Sequence, residues 1–202
     1  LWSIIPIRFV AFAMVPIFIV MINSLYVKDK DEYGKFSNIY TGLLYIAVPI
    51  ALSNLIAFDK AGNFSGNLLL CFFIIIWCSD VGAFAFGISL GKIFPQKLFP
   101  SVSPKKTWIG FIGGLVSSVL AAFALYEFGI LKFPLIHCLI LSFIMSVTGV
   151  YGDLFESQWK RVYGVKDSGK IIPGHGGFLD RFDSTLMAMP FGAIYLAIFD
   201  LL

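Results

Sequence analysis

Six runs of mostly apolar residues, separated by polar segments, set the plan of this chain: Ile4 to Val27, Ile39 to Phe58, Asn67 to Ile88, Ile109 to Tyr126, Pro134 to Tyr151 and Thr185 to Leu202. Each is at or near the length of about 20 helical residues that crosses the hydrocarbon core of a bilayer. The pattern predicts an all-α integral membrane protein with about six transmembrane helices. The last two runs are short, and the first contains Pro6, Arg8 and Pro16, so its ends are the least sharply marked. Residues 1–202 read as one polytopic membrane domain, with N-terminal spans in 1–66 and the chemistry-bearing part in 67–202.

The polar segments alternate in charge. Odd-numbered loops carry Lys28, Lys30 and Lys35, then Lys92, Lys97, Lys105 and Lys106, then Lys160, Arg161, Lys166, Lys170 and Arg181. Even-numbered loops carry only Lys60 and Lys132. Positive charge collects on the cytoplasmic side of membrane spans, which puts the odd loops in the cytoplasm and both ends of the chain outside. The longest loop, Gly152 to Ser184, also holds Asp153, Glu156, Asp167, Asp180 and Asp183, five of the twelve acidic residues. Topology asks for a few lysines, not for this acidic set, so a cytoplasmic catalytic loop between the last two spans is expected.

Composition agrees with the pattern. The chain is 58% hydrophobic and 13% charged, against about 25% charged in soluble domains. A net charge of +3 without a polybasic run gives no support for a nucleic-acid partner. Cys71, Cys78 and Cys138 sit in apolar runs without metal-ligand spacing and read as small buried hydrophobes. The first residue is Leu1 rather than Met, which leaves room for an upstream segment, and no cleavable signal peptide is evident. Gly87-xxx-Gly91 and Gly110-xxx-Gly114 fit close helix approach in lipid, or arise by chance among 19 glycines.

Four stretches could carry chemistry. If the fifth helix continues past the membrane surface, Asp153, Glu156, Ser157 and Lys160 share one face, with Phe155, Trp159 and Val162 on an apolar stripe. The plain alternative is a solvated helix end with a Glu156–Lys160 pair. Next, "GVKDSGKIIPGHGG" is too rich in glycine for a helix and suits close backbone approach to a polyphosphate, with Lys166, Lys170 and His175 adding donors. Gly164-xxxx-Gly169-Lys170 is not a P-loop, because Ile171 stands where a magnesium-binding Ser or Thr belongs. In "HGGFLDRFDS", a helix starting near Phe178 sets Asp180, Asp183, Ser184 and Met187 on one face, an arrangement suited to Mg²⁺. First-turn aspartates also complement a helix dipole, which explains either one singly.

The fourth stretch comes earlier. Asp80 lies inside the third span, roughly 12 Å along the helix from its cytoplasmic end. A carboxylate there costs about 2.5–3.5 kcal/mol on insertion scales and is usually functional or paired. In "SPKKT", Ser103 and Pro104 read as the N-cap and first residue of the fourth helix, with Lys105 and Lys106 in its first turn. Cations there oppose the dipole unless an anion binds, although topology alone also accounts for them.

These residues resemble the phosphatidate cytidylyltransferases (CDP-diacylglycerol synthases). The family signature is Ser, two residues, Lys-Arg, four residues, Lys-Asp, then Pro-x-His-Gly-Gly-x-x-Asp-Arg-x-Asp. Ser157, Lys160, Arg161, Lys166, Asp167, Pro173, His175, Gly176, Gly177, Asp180, Arg181 and Asp183 fall on it in register. "SDVGAFAFG" and "SPKKTWIGFIGG" look like that family's upstream blocks, so the resemblance covers most of Trp77 to Ser184. Trp159 stands where the pattern usually has a smaller apolar residue. Ile109, just after "SPKKTW", stands where many bacterial members have Glu. The chain is also shorter than many members, which points to fewer N-terminal helices.

The resemblance implies transfer of CMP from CTP to phosphatidic acid, giving CDP-diacylglycerol and pyrophosphate. It implies Mg²⁺, held by Asp153 and Asp180 with Asp183 as a further or supporting ligand, and leaves room for a second, monovalent cation. Lys160, Arg161, Lys166 and Arg181 are expected on phosphates, and Gly176 and Gly177 with His175 around the nucleotide. Lys105, Lys106, Ser157, Asp167 and Asp80 complete the expected substrate site. A homodimer in a bacterial inner membrane is implied as well. Two rivals share parts of the pattern: a CTP-dependent lipid-alcohol kinase, and an ion-coupled transporter built around Asp80.

Overall fold

In a computed structural model the described residues are 22, 37–58, 63–170 and 176–202. The expected first span, the lysines at 28, 30, 35 and 60, and Pro173 to His175 lie outside them. Helix α1 covers Ser37–Ala57, with a π-helical segment at Leu43–Ala47. Helix α2 is Asn67–Leu90, α3 is Trp108–Glu127, α4 is Leu135–Val162 and α5 is Leu179–Ile198.

The first four of these are long and apolar enough to cross a membrane, and they match the second to fifth expected spans. The expected sixth span forms the larger part of α5. That helix starts six residues before the apolar run, and its first turns carry Asp180, Arg181 and Asp183, so it falls outside that group of four. At 28 residues α4 is about 42 Å long, more than the roughly 30 Å core needs. Its last turns therefore project beyond the apolar layer, with Lys160 and Arg161 placed to complement the helix dipole.

Two expectations at the loop before α3 are corrected. The helical architecture is as expected, but in that loop Lys97–Phe99 (β1) and Ser103–Thr107 (β2) pair as an antiparallel hairpin. Ser103 and Pro104 therefore lie in a strand, not at a helix start. Thr107 is the true N-cap, in extended conformation with its side chain accepting from the Gly110 N–H. Lys105 and Lys106 precede the helix rather than opposing its dipole from the first turn.

The helices pack through small residues and buried apolar side chains. Phe72, Ile75 and Ile76 of α2 join Leu141 and Met145 of α4 and Leu196 of α5 in one core. A Cβ on Gly110 would lie 2.9 Å from the Ala83 carbonyl, and one on Gly114 would lie 2.8 Å from that of Ser79. That spacing is thus a genuine α2–α3 crossing, whereas a Cβ on Gly87 would meet only the Thr107 hydroxyl, at 3.8 Å. Ser79 and Ser146 share a buried hydroxyl hydrogen bond of 2.8 Å that ties α2 to α4. Cys71 and Cys138 are fully buried and all three cysteines are free.

Candidate active site at one end of the bundle

The polar residues gather where α1, α4 and α5 meet. Gly152 is what lets them meet: a Cβ there would lie 2.6 Å from the Asp183 carbonyl and 2.9 Å from Met187 Cβ. The Tyr45 hydroxyl, from the π-helical segment of α1, reaches the carbonyls of Gly152 at 3.1 Å and Asp183 at 3.0 Å. Phe155 and Trp159 pack on the Tyr45 ring, so the expected apolar stripe serves to dock α1. Val162, further along that stripe, is exposed.

The glycine-rich loop is held to α5 by Asp180. Lys160 Nζ donates to Asp180 Oδ1 at 2.6 Å. Oδ2 accepts from the N–H of Ser168 at 2.9 Å, the Ser168 hydroxyl at 2.9 Å and the Gly177 N–H at 2.7 Å. Burial works against the Asp180 charge, but these four donors outweigh it and hold the carboxyl well below the usual carboxylate range. Gly176 has φ +85°, and a Cβ on it would meet Asp180 Oδ2 at 2.8 Å. A Cβ on Gly177 would strike the Ser168 hydroxyl at 2.3 Å, so the Gly176–Gly177 pair is what allows the loop to close on the carboxylate.

Lys160 also pairs with Glu156 one turn before it. The expected pair is present, but it is not solvated: Glu156 is 1% exposed. Its oxygens find no other hydrogen-bond partner among the described residues. Motif spacing alone could not single out Glu156, because an i, i+4 Glu–Lys pair is common on any helix surface.

A second group lies beside the first. Lys106 of β2 bridges to Asp153 Oδ2 at 2.6 Å, and the Ser157 hydroxyl donates to Asp153 Oδ1 at 3.2 Å. Asp183 Oδ1 accepts from the adjacent Ser184 N–H at 2.6 Å. Burial and then the negative charges of Asp153, Glu156 and Asp80 push the Asp183 carboxyl above the usual range, against that hydrogen bond. Asp80, on α2, thus contributes its field to this acid group from a third helix.

Other expected residues stand further out. Lys105, Lys166, Asp167 and Arg181 are exposed, and Arg161 is exposed with Nη1 donating to the Val165 carbonyl at 3.4 Å. Ile109 sits half-buried in the first turn of α3. His175 lies outside the described residues. Tyr45, Glu156 and Ser168 are site residues that the motif reading did not assign.

Apolar membrane-length helices with a charged, ion-paired cluster at one end describe a polytopic membrane protein. The sequence profile of the cytidylyltransferase family matches residues 1–199, and the chain belongs to that family. It is similar to the phosphatidate cytidylyltransferase of Bacillus subtilis strain 168, at 41% identity over 182 residues, 89% of this chain and 63% of that relative. It is 45% identical over 124 residues to the phosphatidate cytidylyltransferase of Staphylococcus saprophyticus. Against that of Staphylococcus aureus strain COL the identity is 46% over 124 residues, 61% of this chain and 46% of the relative. The chain thus spans about half to just under two thirds of the length of these bacterial relatives.

Proposed function

We propose that this chain transfers CMP from CTP to phosphatidic acid, releasing pyrophosphate and leaving CDP-diacylglycerol in the membrane. The observation that carries the reading is the pair of ion bridges, Lys160–Asp180 and Lys106–Asp153. They unite three separate sequence blocks at one end of an apolar bundle. Relatives named phosphatidate cytidylyltransferase support the choice of substrates. The distribution of Lys and Arg supports a site facing the cytoplasm, where a nucleotide is available.

The donor chemistry fits Mg²⁺. Asp183 and Asp153 offer hard oxygens, and their mutual repulsion, reinforced by Asp80, is the condition a divalent cation relieves. Among the described residues no three His, Cys, Asp or Glu side chains are gathered as a metal cage. That suits Mg²⁺, which typically takes one or two carboxylates and completes its shell with water and substrate phosphate. Sequence alone assigned Asp180 to the metal as well. Its carboxylate accepts four hydrogen bonds from Lys160, Ser168 and Gly177, against one contact to each oxygen of Asp153 from Lys106 and Ser157. Asp153 and Asp183 are therefore the pair proposed to hold the ion. Bound Mg²⁺ would neutralise the triphosphate and the departing pyrophosphate.

Everything else falls to the chain. Lys106 and Lys160, each at an ion pair lining the site, supply fixed positive charge for phosphate. Exposed Arg161, Lys166 and Arg181 draw the anionic nucleotide in. The phosphatidate oxygen is already ionised near neutral pH, so no general base is required. It attacks the α-phosphorus of CTP, a new P–O bond forms, and the bond from that phosphorus to the bridging oxygen breaks with its electron pair leaving on pyrophosphate. Rate then depends on alignment and charge neutralisation.

The test is incubation of detergent-purified protein with phosphatidic acid and α-³²P-CTP, with Mg²⁺ or EDTA. Magnesium-dependent label in lipid, lost in Asp153→Asn, is the expected result. Label reaching lipid only from γ-³²P-CTP and an alcohol acceptor would replace this reading with a kinase. No lipid label at all from folded protein would end it.

A further inference from the structure

Beside the charged site a cavity of about 560 Å³ runs into the apolar bundle. Its mouth is formed by Ser168 and Gly177, the two residues whose N–H groups clasp Asp180. From there one wall follows α5 through Phe182 to Met189, facing Ile46 to Ser53 of α1 and Phe73 and Leu69 of α2. The ten residue steps of helix from Leu179 to Met189 rise about 15 Å. That is the depth of one leaflet in a hydrocarbon core of about 30 Å.

The lining is hydrocarbon almost throughout. Phe178, Phe182 and Phe73 form a continuous aromatic wall, with ring centroids 4.6 Å and 6.2 Å apart in turn. Ser53 turns its hydroxyl back on the Ile50 carbonyl at 2.6 Å, so it offers the cavity no free donor. A cytosine base, with several polar edges to satisfy, would be stranded there. A flexible saturated chain would not, and it would find aliphatic and aromatic surface on all three helices.

We infer that this cavity is the seat of one acyl chain of the phosphatidic acid substrate. The lipid's phosphate would then stay at the Ser168–Gly177 mouth beside the charged site. This rests on the reading of the substrate given above. Continuity of the mouth with the Asp180 clasp commits the occupant to a lipid whose headgroup is the reacting group. The deep end, at Ser53, Leu69 and Met189, then measures chain length.

The experiment uses phosphatidic acid with a diazirine near the end of one acyl chain, irradiated with the detergent-solubilised full chain. Labelled peptides are then mapped by mass spectrometry. Label is expected on the Phe182–Met189 and Pro49–Ser53 segments, and it is expected to fall severalfold in Ser53→Trp, which fills the deep end. Ile50→Trp, at a position 55% exposed, provides a second blocking variant that does not overpack the core. Label confined to residues 1–36 or to the outer faces of α2 and α3 would overturn the inference, and so would labelling unchanged in both variants. Cross-linking requires neither CTP nor turnover, so its failure is separate from failure of the CMP-transfer reading. In the turnover assay, Ser53→Trp should raise KM for dipalmitoyl phosphatidate about tenfold, the equivalent of about two methylenes left unburied. It should leave dioctanoyl phosphatidate nearly unchanged, whereas an equal effect on both lipids would also overturn the assignment.

Discussion

Asp180 and Asp183 stand one turn apart on α5, yet they mark two regions of the site with opposite physics. On the loop side, Asp180 accepts from Lys160, Ser168 and Gly177 and is held firmly ionised. On the bundle side, Asp183 accepts the Ser184 N–H and lies in the negative field of Asp153, Glu156 and Asp80. One carboxylate is fully used in building the fold. The other is surrounded by charge of its own sign and is stable in that state only at a cost. A residue whose polar atoms are satisfied within the chain contributes to structure, and one left in repulsion is placed for a ligand that will relieve it.

The largest effect should come from breaking the bundle side. Asp183→Asn should lower the kcat for CMP transfer by about 10²–10³, the range seen when one fixed electrostatic contact to a transition state is lost. Removing Mg²⁺ with EDTA should abolish transfer in the wild type. In EDTA the melting temperature of Asp183→Asn should be no lower than that of the wild type, because the substitution removes repulsion. A mutant that is both inactive and markedly less stable would show that Asp183 belongs with the structural carboxylates. Asp180→Asn tests the opposite side. It removes the charge and turns one of the two accepting oxygens into a donor. Either Lys160 or the Ser168 and Gly177 donors then lose their acceptor, which should cost about 1–3 kcal/mol. Limited proteolysis should cut its loop faster than that of the wild type.

Much of this division could be read in the sequence, and some could not. The apolar runs located α1 to α4 within about two residues at most ends, because a membrane helix must satisfy its backbone internally and its length is set by the bilayer. The excess of acid in Gly152 to Ser184 marked where the ion-paired polar side chains gather, for a similar reason: such residues have no role in topology. What failed was local chemistry with two competing outcomes. Ser103-Pro104 is a good helix start by propensity, but pairing with Lys97–Phe99 took those residues into a strand and moved the cap to Thr107. The roles of Asp180 and Asp183 were indistinguishable by spacing, since only the folded loop determines which carboxylate the Ser168 and Gly177 donors reach. Tyr45 carried no signal at all, because its partners are main-chain carbonyls more than a hundred positions away.

A smaller change sharpens the loop side alone. Gly176→Ala places a side chain at φ +85° and directs its Cβ at Asp180 Oδ2. The expected cost is about 1–2 kcal/mol of strain, read as a lower melting temperature and a raised KM for CTP. The kcat should change less than in Asp183→Asn, because the acid group beside it is untouched. A Gly176→Ala protein with unchanged stability would mean that the loop closes on Asp180 more loosely than the 2.7 Å Gly177 contact indicates.

The smallest predicted effect is the most specific to Asp180. Its carboxyl is held below the usual range in the folded protein, despite burial, by donors that an unfolded chain lacks. An unfolded Asp titrates near about 3.9. A group lowered on folding contributes stability that is fully present above the unfolded value and is lost as pH falls from there toward the folded one. The difference in melting temperature between wild type and Asp180→Asn should therefore be constant from about pH 8 down to about pH 5, and shrink below about pH 4. Asp183, whose shift owes nothing to Asp180, titrates in both proteins, so the difference cancels its contribution to first order. A gap that persists undiminished to the acid limit would mean that Asp180 holds the loop by shape and neutral hydrogen bonding. The contrast between an ionised clasp and a repulsive acid group would then lose its electrostatic half.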